Sequence, residues 1–227
     1  MRRLLLLAAL PALALLTIPA NSADSPSEAP RTLMNMPGKL LMSDSLGSGL
    51  GKSWNVAKGK YEAVDGGTRG AEVKSDMHGA VARLAIPMKD VVVQYSFKFD
   101  GATTSSLSFN GEKGHIGRVA IRPTGLTVQK DDQDGKNGKD KSEVLDTKAI
   151  SLKPGEWHTL VVELRGPDIL ATLDGTTTAY GTHAALDKPK ANVGFTVAGE
   201  SVSFKNLSIW DATPSKEWDA NKAKLRK

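Results

Sequence analysis

Val91-Val92-Val93-Gln94-Tyr95-Ser96-Phe97-Lys98-Phe99-Asp100 is the stretch that decides the fold class. Val91, Val93, Tyr95, Phe97 and Phe99 share one parity, and Gln94, Ser96, Lys98 and Asp100 share the other. Successive side chains of a strand point to opposite sides, so this period of two predicts a strand with one face in a core. Runs of the same kind lie on both sides of it, at residues 80–86, 105–110, 115–122, 126–130, 158–165, 169–174, 192–198 and 202–210. Turn residues separate them. Asp174-Gly175 is a hairpin signal, Pro123-Thr124-Gly125 closes another pair, and Lys153-Pro154-Gly155-Glu156 leads into a strand opening at Trp157. No segment between residues 40 and 212 keeps helical spacing, and no internal repeat occurs. Many short strands without intervening helices predict an all-β, two-sheet antiparallel sandwich.

The last run breaks its own pattern. Val202 and Phe204 share a face, whereas Leu207 and Ile209 have the opposite parity. One extra residue near Lys205-Asn206, a β-bulge, restores a single apolar face.

The ends of the chain read differently. Arg2 and Arg3 precede an uncharged apolar run from Leu4 to Ile18, and Ala20-Asn21-Ser22 places small residues where a signal peptidase cuts. We therefore expect a signal peptide over 1–22, cleaved before Ala23, and an exported protein, periplasmic or extracellular. The apolar run is too short and too proline-broken to span a bilayer, and no cysteine marks a lipid anchor. Residues 23–38 suit a flexible spacer, 39–212 the sandwich domain, and 213–227 a basic, exposed tail in which Thr213-Pro214 could cap a short helix. That tail carries too little apolar surface for stable membrane insertion.

Cysteine is absent, which removes disulfides, thiol chemistry and thiolate metal sites together. The net charge is +5, but Arg2, Arg3 and the tail account for all of it, leaving residues 23–212 neutral. A phosphate-binding fold needs its basic surplus on the body, so no nucleic-acid partner is expected.

Hydrolase motifs are missing. There is no G-x-S-x-G elbow, no H-E-x-x-H, no phosphate-binding glycine loop and no E-x-D-x-x-E strand. His78, His115, His158 and His183 are scattered without metal-ligand spacing. Asp132, Asp134 and Glu143 fall at the first, third and last positions of a twelve-residue calcium loop, but Lys136 and Asn137 occupy its fifth and sixth. The segment reads as a solvated hairpin loop, and neither metal nor cofactor is expected. The strands flanking it offer the best surface. His115, Arg118, Gln129, Asp131 and Asp132 could form a polar patch near one end of the sheet, of a kind that holds sugar hydroxyls through paired hydrogen bonds. A wet outer face with ordinary cross-strand pairs is the plainer reading of the same residues.

Lys153-Pro154-Gly155-Glu156-Trp157-His158-Thr159-Leu160, Leu173-Asp174-Gly175, Val193-Gly194-Phe195 and Ser203-Phe204-Lys205-Asn206-Leu207 resemble the second half of the 3-keto-disaccharide hydrolase-type domain. Trp54 with Tyr61-Glu62-Ala63-Val64-Asp65-Gly66 resembles its opening. That family is similar to concanavalin A-like lectins, glucanases and laminin-G-like modules. The resemblance, over roughly residues 40–211, implies a jelly-roll sandwich in an exported protein that handles carbohydrate. The family's middle section carries Asn-Ser-Gly, then a Gly-Tyr-Glu-x-Gln strand ending in aspartate. Here Gln129 and Asp132 match, Thr127 replaces the glutamate, and His115-Ile116-Gly117 keeps only the glycine. Because a carboxylate is the expected acid or base, the substitution at Thr127 favours a non-catalytic carbohydrate-binding domain using His115, Arg118, Gln129 and Asp132. The alternative is a hydrolase of 3-keto-disaccharides with Asp131 or Asp132 as acid/base and His115 assisting. A structural, partner-binding module of the cell envelope is the third reading.

Overall fold

A computed structural model describes residues 28–135 and 138–225; the expected signal peptide lies outside them. In chain order the first strands are β1 (Asn35–Asp44), β2 (Trp54–Lys58), β3 (Lys60–Val64), β4 (Gly67–Ala71) and β5 (Ala80–Met88). The middle ones are β6 (Val91–Phe99), β7 (Ala102–Asn110), β8 (His115–Arg122), β9 (Gly125–Lys130) and β10 (Glu143–Ala149). The last are β11 (His158–Arg165), β12 (Asp168–Leu173), β13 (Thr177–Thr182), β14 (Lys190–Gly199) and β15 (Ser201–Pro214), followed by one helix, α1 (Trp218–Leu225).

The strands form two antiparallel sheets. One has eight strands in the order β13-β12-β11-β6-β15-β4-β3, with β1 also paired to β15; the other has seven, in the order β10-β9-β8-β7-β14-β5-β2. This is the expected jelly-roll sandwich. Val91, Val93, Tyr95, Phe97 and Phe99 of β6 are all buried between the sheets. Phe195 of β14 reaches across to them, stacked on Phe204 at 4.3 Å and tilted against Tyr95 at 5.0 Å. Each such side chain contributes roughly 1.5–3 kcal/mol on burial, so this aromatic contact is a main fastening between the sheets.

The expected bulge is present. Pairing of β15 with β6 slips between Lys205 and Ser208, and Asn206 takes the left-handed conformation at φ 54°. Val202, Phe204, Leu207 and Ile209 consequently all enter the core. The Asp174-Gly175 hairpin is present too: Leu173 pairs with Thr177, Thr176 N–H donates to the Leu173 carbonyl at 3.1 Å, and Asp174 and Gly175 both take positive φ, 49° and 69°.

β6 is covered on its outer face as well, where Val92 packs with Val161 and Trp210, flanked by Leu40 and Ala212. One expectation is corrected: the ends of the chain are not loose. β15 continues to Pro214, the helix starts at Trp218 rather than after Thr213-Pro214, and β1 starts at Asn35, inside the expected spacer. Trp218 is buried against Met34 and Leu170, with its ring edge-on to Tyr180 at 5.5 Å. Lys222 Nζ donates to Asp168 at 3.2 Å, and Asn221 Nδ2 donates to the Leu33 carbonyl at 3.0 Å. A reading that weighed the tail by its charge missed what one tryptophan fastens.

Candidate functional site

The outward side chains of the seven-stranded sheet lie in rows set by strand register. One row runs Gln129, Arg118, Ser108, Gly194, Arg83, Asn55 across β9, β8, β7, β14, β5 and β2. The next runs His115, Asn110, Asn192. Between the arginines the floor is low. A Cβ on Gly194 would come 2.8 Å from the Ser108 hydroxyl, so glycine there keeps the row closed down. Among the described residues no aromatic side chain lies on this face: Trp54 turns inward onto Phe195 at 5.3 Å, and Trp157 sits on the other sheet with Lys205 4.1 Å from its ring centre.

Two hydrogen-bonded groups hold the row ends. In the first, His115 Nδ1 meets Asn110 Oδ1 at 2.5 Å. Asn110 Nδ2 donates to Asn192 Oδ1 at 2.7 Å and to Ser108 Oγ at 3.3 Å. An amide oxygen can only accept, so His115 carries its proton on Nδ1 and presents the Nε2 lone pair outward. Burial, reinforced by Arg118, pushes the His115 pKa below its ordinary value, with Asp131 opposing. The ring is therefore neutral at pH 7.

In the second group, Arg118 Nε donates to both oxygens of Asp131 at 2.9 Å, and Gln129 Nε2 donates to Asp131 Oδ1 at 2.7 Å. Asp131 is 1% exposed and Arg118 31%. The carboxylate is thus spent on fixing the guanidinium, whose terminal nitrogens have no partner among the described residues.

The structure brings together His115, Arg118, Gln129 and Asp131. Asp132 belongs to the loop beyond: its Oδ1 accepts the backbone N–H groups of Asp134 and Gly135 at 3.1 and 2.8 Å. Asp132, Asp134 and Asp140 place carboxylate oxygens within 4.8 Å of one another. Asp134 also takes N–H groups of Lys139 and Asp140, and Lys130 Nζ reaches Asp140, so these carboxylates serve the loop. Sequence reasoning missed Arg83, Ser108, Asn110, Asn192 and Gly194. The alternation of Ser106, Ser108 and Asn110 against Leu107 and Phe109 was the signal for Ser108 and Asn110, since it places a polar line on the outward face.

Beyond His115 the face opens into a cavity of about 610 Å³, with Pro87, Lys113, Gln133, Lys188 and Lys190 among its lining. Lys190 is 1% exposed, and its Nζ donates to the carbonyls of Lys89 and Leu186 at 3.0 Å. Burial lowers its pKa to about 8.

Fold and face define a concanavalin A-like sandwich. Residues 40–210 match the 3-keto-alpha-glucoside-1,2-lyase-like domain, and the chain belongs to that family. Among solved structures it is similar to a family 66 carbohydrate-binding module from Bacillus subtilis (14% identity, TM-score 0.58, covering 70% of this chain and 96% of that one). It is similar also to a non-specific endo-beta-1,3(4)-glucanase of family GH16 (10% identity, TM-score 0.59, covering 79% and 96%). Porphyranase B from Zobellia galactanivorans is a third (14% identity, TM-score 0.59, covering 83% and 98%). No curated protein sequence matches the chain.

Proposed function

We propose that the chain is an exported carbohydrate-binding domain whose ligand lies across the outer face of the seven-stranded sheet. The observation that carries this reading is the preset polar network. Asn110 holds His115 and Asn192, and Asp131 holds Arg118 and Gln129, so donors and acceptors are fixed before any ligand arrives. Preset groups lose little entropy on binding, which suits weak, hydroxyl-rich ligands. The family membership and the likeness to a carbohydrate-binding module support it. The test is a pull-down on immobilised polysaccharides beside a turnover assay on 3-keto-disaccharides. Retention without turnover is expected, with Asn110→Ala weakening retention by about tenfold through the unpaired groups it leaves.

His115 favours a second reading, in which the domain acts on 3-keto glycosides. A neutral imidazole with its Nε2 lone pair free beside a cavity can take the proton from the carbon between the ketone and the glycosidic carbon; the enolate so formed expels the glycosidic oxygen, and the imidazolium returns the proton to it. Asp131 is buried with both oxygens engaged by Arg118 and one also by Gln129, which keeps it from reaching a ligand, so this reading moves the acid/base role from the aspartates to His115. Turnover abolished by His115→Ala, with an acid limb below the ordinary histidine range, would establish it. Neither retention nor turnover would leave a structural module.

A further inference from the structure

Arg83 and Arg118 stand in one row, three strands apart, which is about 14 Å at normal strand spacing. Only Ser108 and Gly194 lie between them. Arg83 is half-buried and has neither a hydrogen bond nor an ion pair among the described residues, although Glu62 and Asp131 both hold other arginines. Arg118 is tied at Nε alone, leaving its outer fork for a ligand. Past the His115–Asn110–Asn192 row, the cavity carries Lys113, Lys188 and Lys190 against Glu112. With Asp131 and Glu112 set against Arg83, Arg118, Lys113, Lys188 and Lys190, the row and cavity still carry a positive surplus, whereas residues 23–212 are neutral in total. A face without aromatic side chains cannot stack on sugar rings. Its specificity must come from charge and hydrogen bonds.

From these observations, and resting on the reading of this face as a sugar site, we infer that its ligand is an anionic glycan. The carboxylate or sulfate groups of the chain are taken by Arg83 and the outer nitrogens of Arg118. Guanidinium groups suit both anions because two parallel N–H donors match two oxygens. The low Ser108–Gly194 floor lets the sugar chain lie between them, and the lysine-lined cavity receives one end of it.

The test measures binding of the wild-type protein to polygalacturonate, dextran sulfate, neutral laminarin and dextran, and to poly-glutamate as an anion without sugar. The same series is run on Arg83→Ala and Arg83→Lys, whose folding is checked by thermal melts. Acidic glycan should be held in preference to neutral glycan and to poly-glutamate, more weakly as salt rises. Arg83→Ala should lose about tenfold or more, with Arg83→Lys between it and wild type. Preference for polygalacturonate would assign the carboxylate, and preference for dextran sulfate the sulfate. Equal binding of neutral glycans with no effect of Arg83→Ala would overturn the inference while leaving the sugar site intact. Equal retention of poly-glutamate would overturn it as non-specific attraction. No retention of any glycan would sink the sugar site itself.

Discussion

Lys190 shows how a single side chain can tie pH to stability. Its ammonium lies in the sandwich wall, and burial pushes it down to about 8, opposed by Asp90 and Asp187. A lysine that loses its proton more readily when folded makes the folded state bind fewer protons than the unfolded chain between about pH 8 and the ordinary lysine value of 10.5. Stability therefore rises with pH across that window, by up to about 3 kcal/mol. Urea unfolding at intervals from pH 7 upward should show the rise, and Lys190→Met should flatten it. A wild-type curve without slope would show that the lysine is charged and solvated. At this scale the sequence was only partly legible. His115, Arg118, Gln129 and Asp131 could be proposed because two neighbouring strands carry them. Arg83 and Asn192 could not, because they come within reach only through the register of β14 between β5 and β7.

β15 is the element whose sequence and geometry agree most closely. The parity break between Phe204 and Leu207 required an extra residue, and Asn206 supplies it at φ 54°. Asparagine tolerates the left-handed region and a β-branched residue does not. Asn206→Val should thus cost about 1–2 kcal/mol in equilibrium unfolding, whereas Asn206→Gly should be near neutral. A harmless valine would mean that the bulge can move along the strand. β10 was illegible for the converse reason. It is an edge strand, pairs only through β9 with a slip between Val144 and Asp146, and offers the core little beyond Leu145. β1 was hidden as well, since what docks it is distant. The backbone N–H groups of Leu33, Met34 and Asn35 all donate to the Glu163 carboxylate of β11, at 2.9, 2.9 and 2.7 Å. Nothing near residue 35 announces a buried acid at 163. Glu163→Gln keeps one accepting oxygen in place of two and should cost about 1–3 kcal/mol. An unchanged melting temperature would mean that β1 is held by its pairing with β15 alone.

Across the whole molecule, the two sheets divide the work. The eight-stranded sheet carries on its outer face the structures that close the chain: β1 on β15, the Glu163 anchor, and α1 seated through Trp218 on Met34 and Leu170. The seven-stranded sheet leaves its outer face to the polar rows and the cavity. Alternation along single strands made the sandwich readable, but alternation says nothing about which outer face is covered. Contacts such as Asn221 to Leu33, 188 residues apart, decide that. This division can be tested by separating stability from binding. Trp218→Ala removes a buried indole from a cluster at the margin of the fold and should cost about 3 kcal/mol or more. Glycan retention measured well below the lowered melting temperature should not change, since α1 and the arginine row belong to opposite faces. A loss of retention in a variant still fully folded would show that the two faces communicate through the core, and that α1 is part of the binding device.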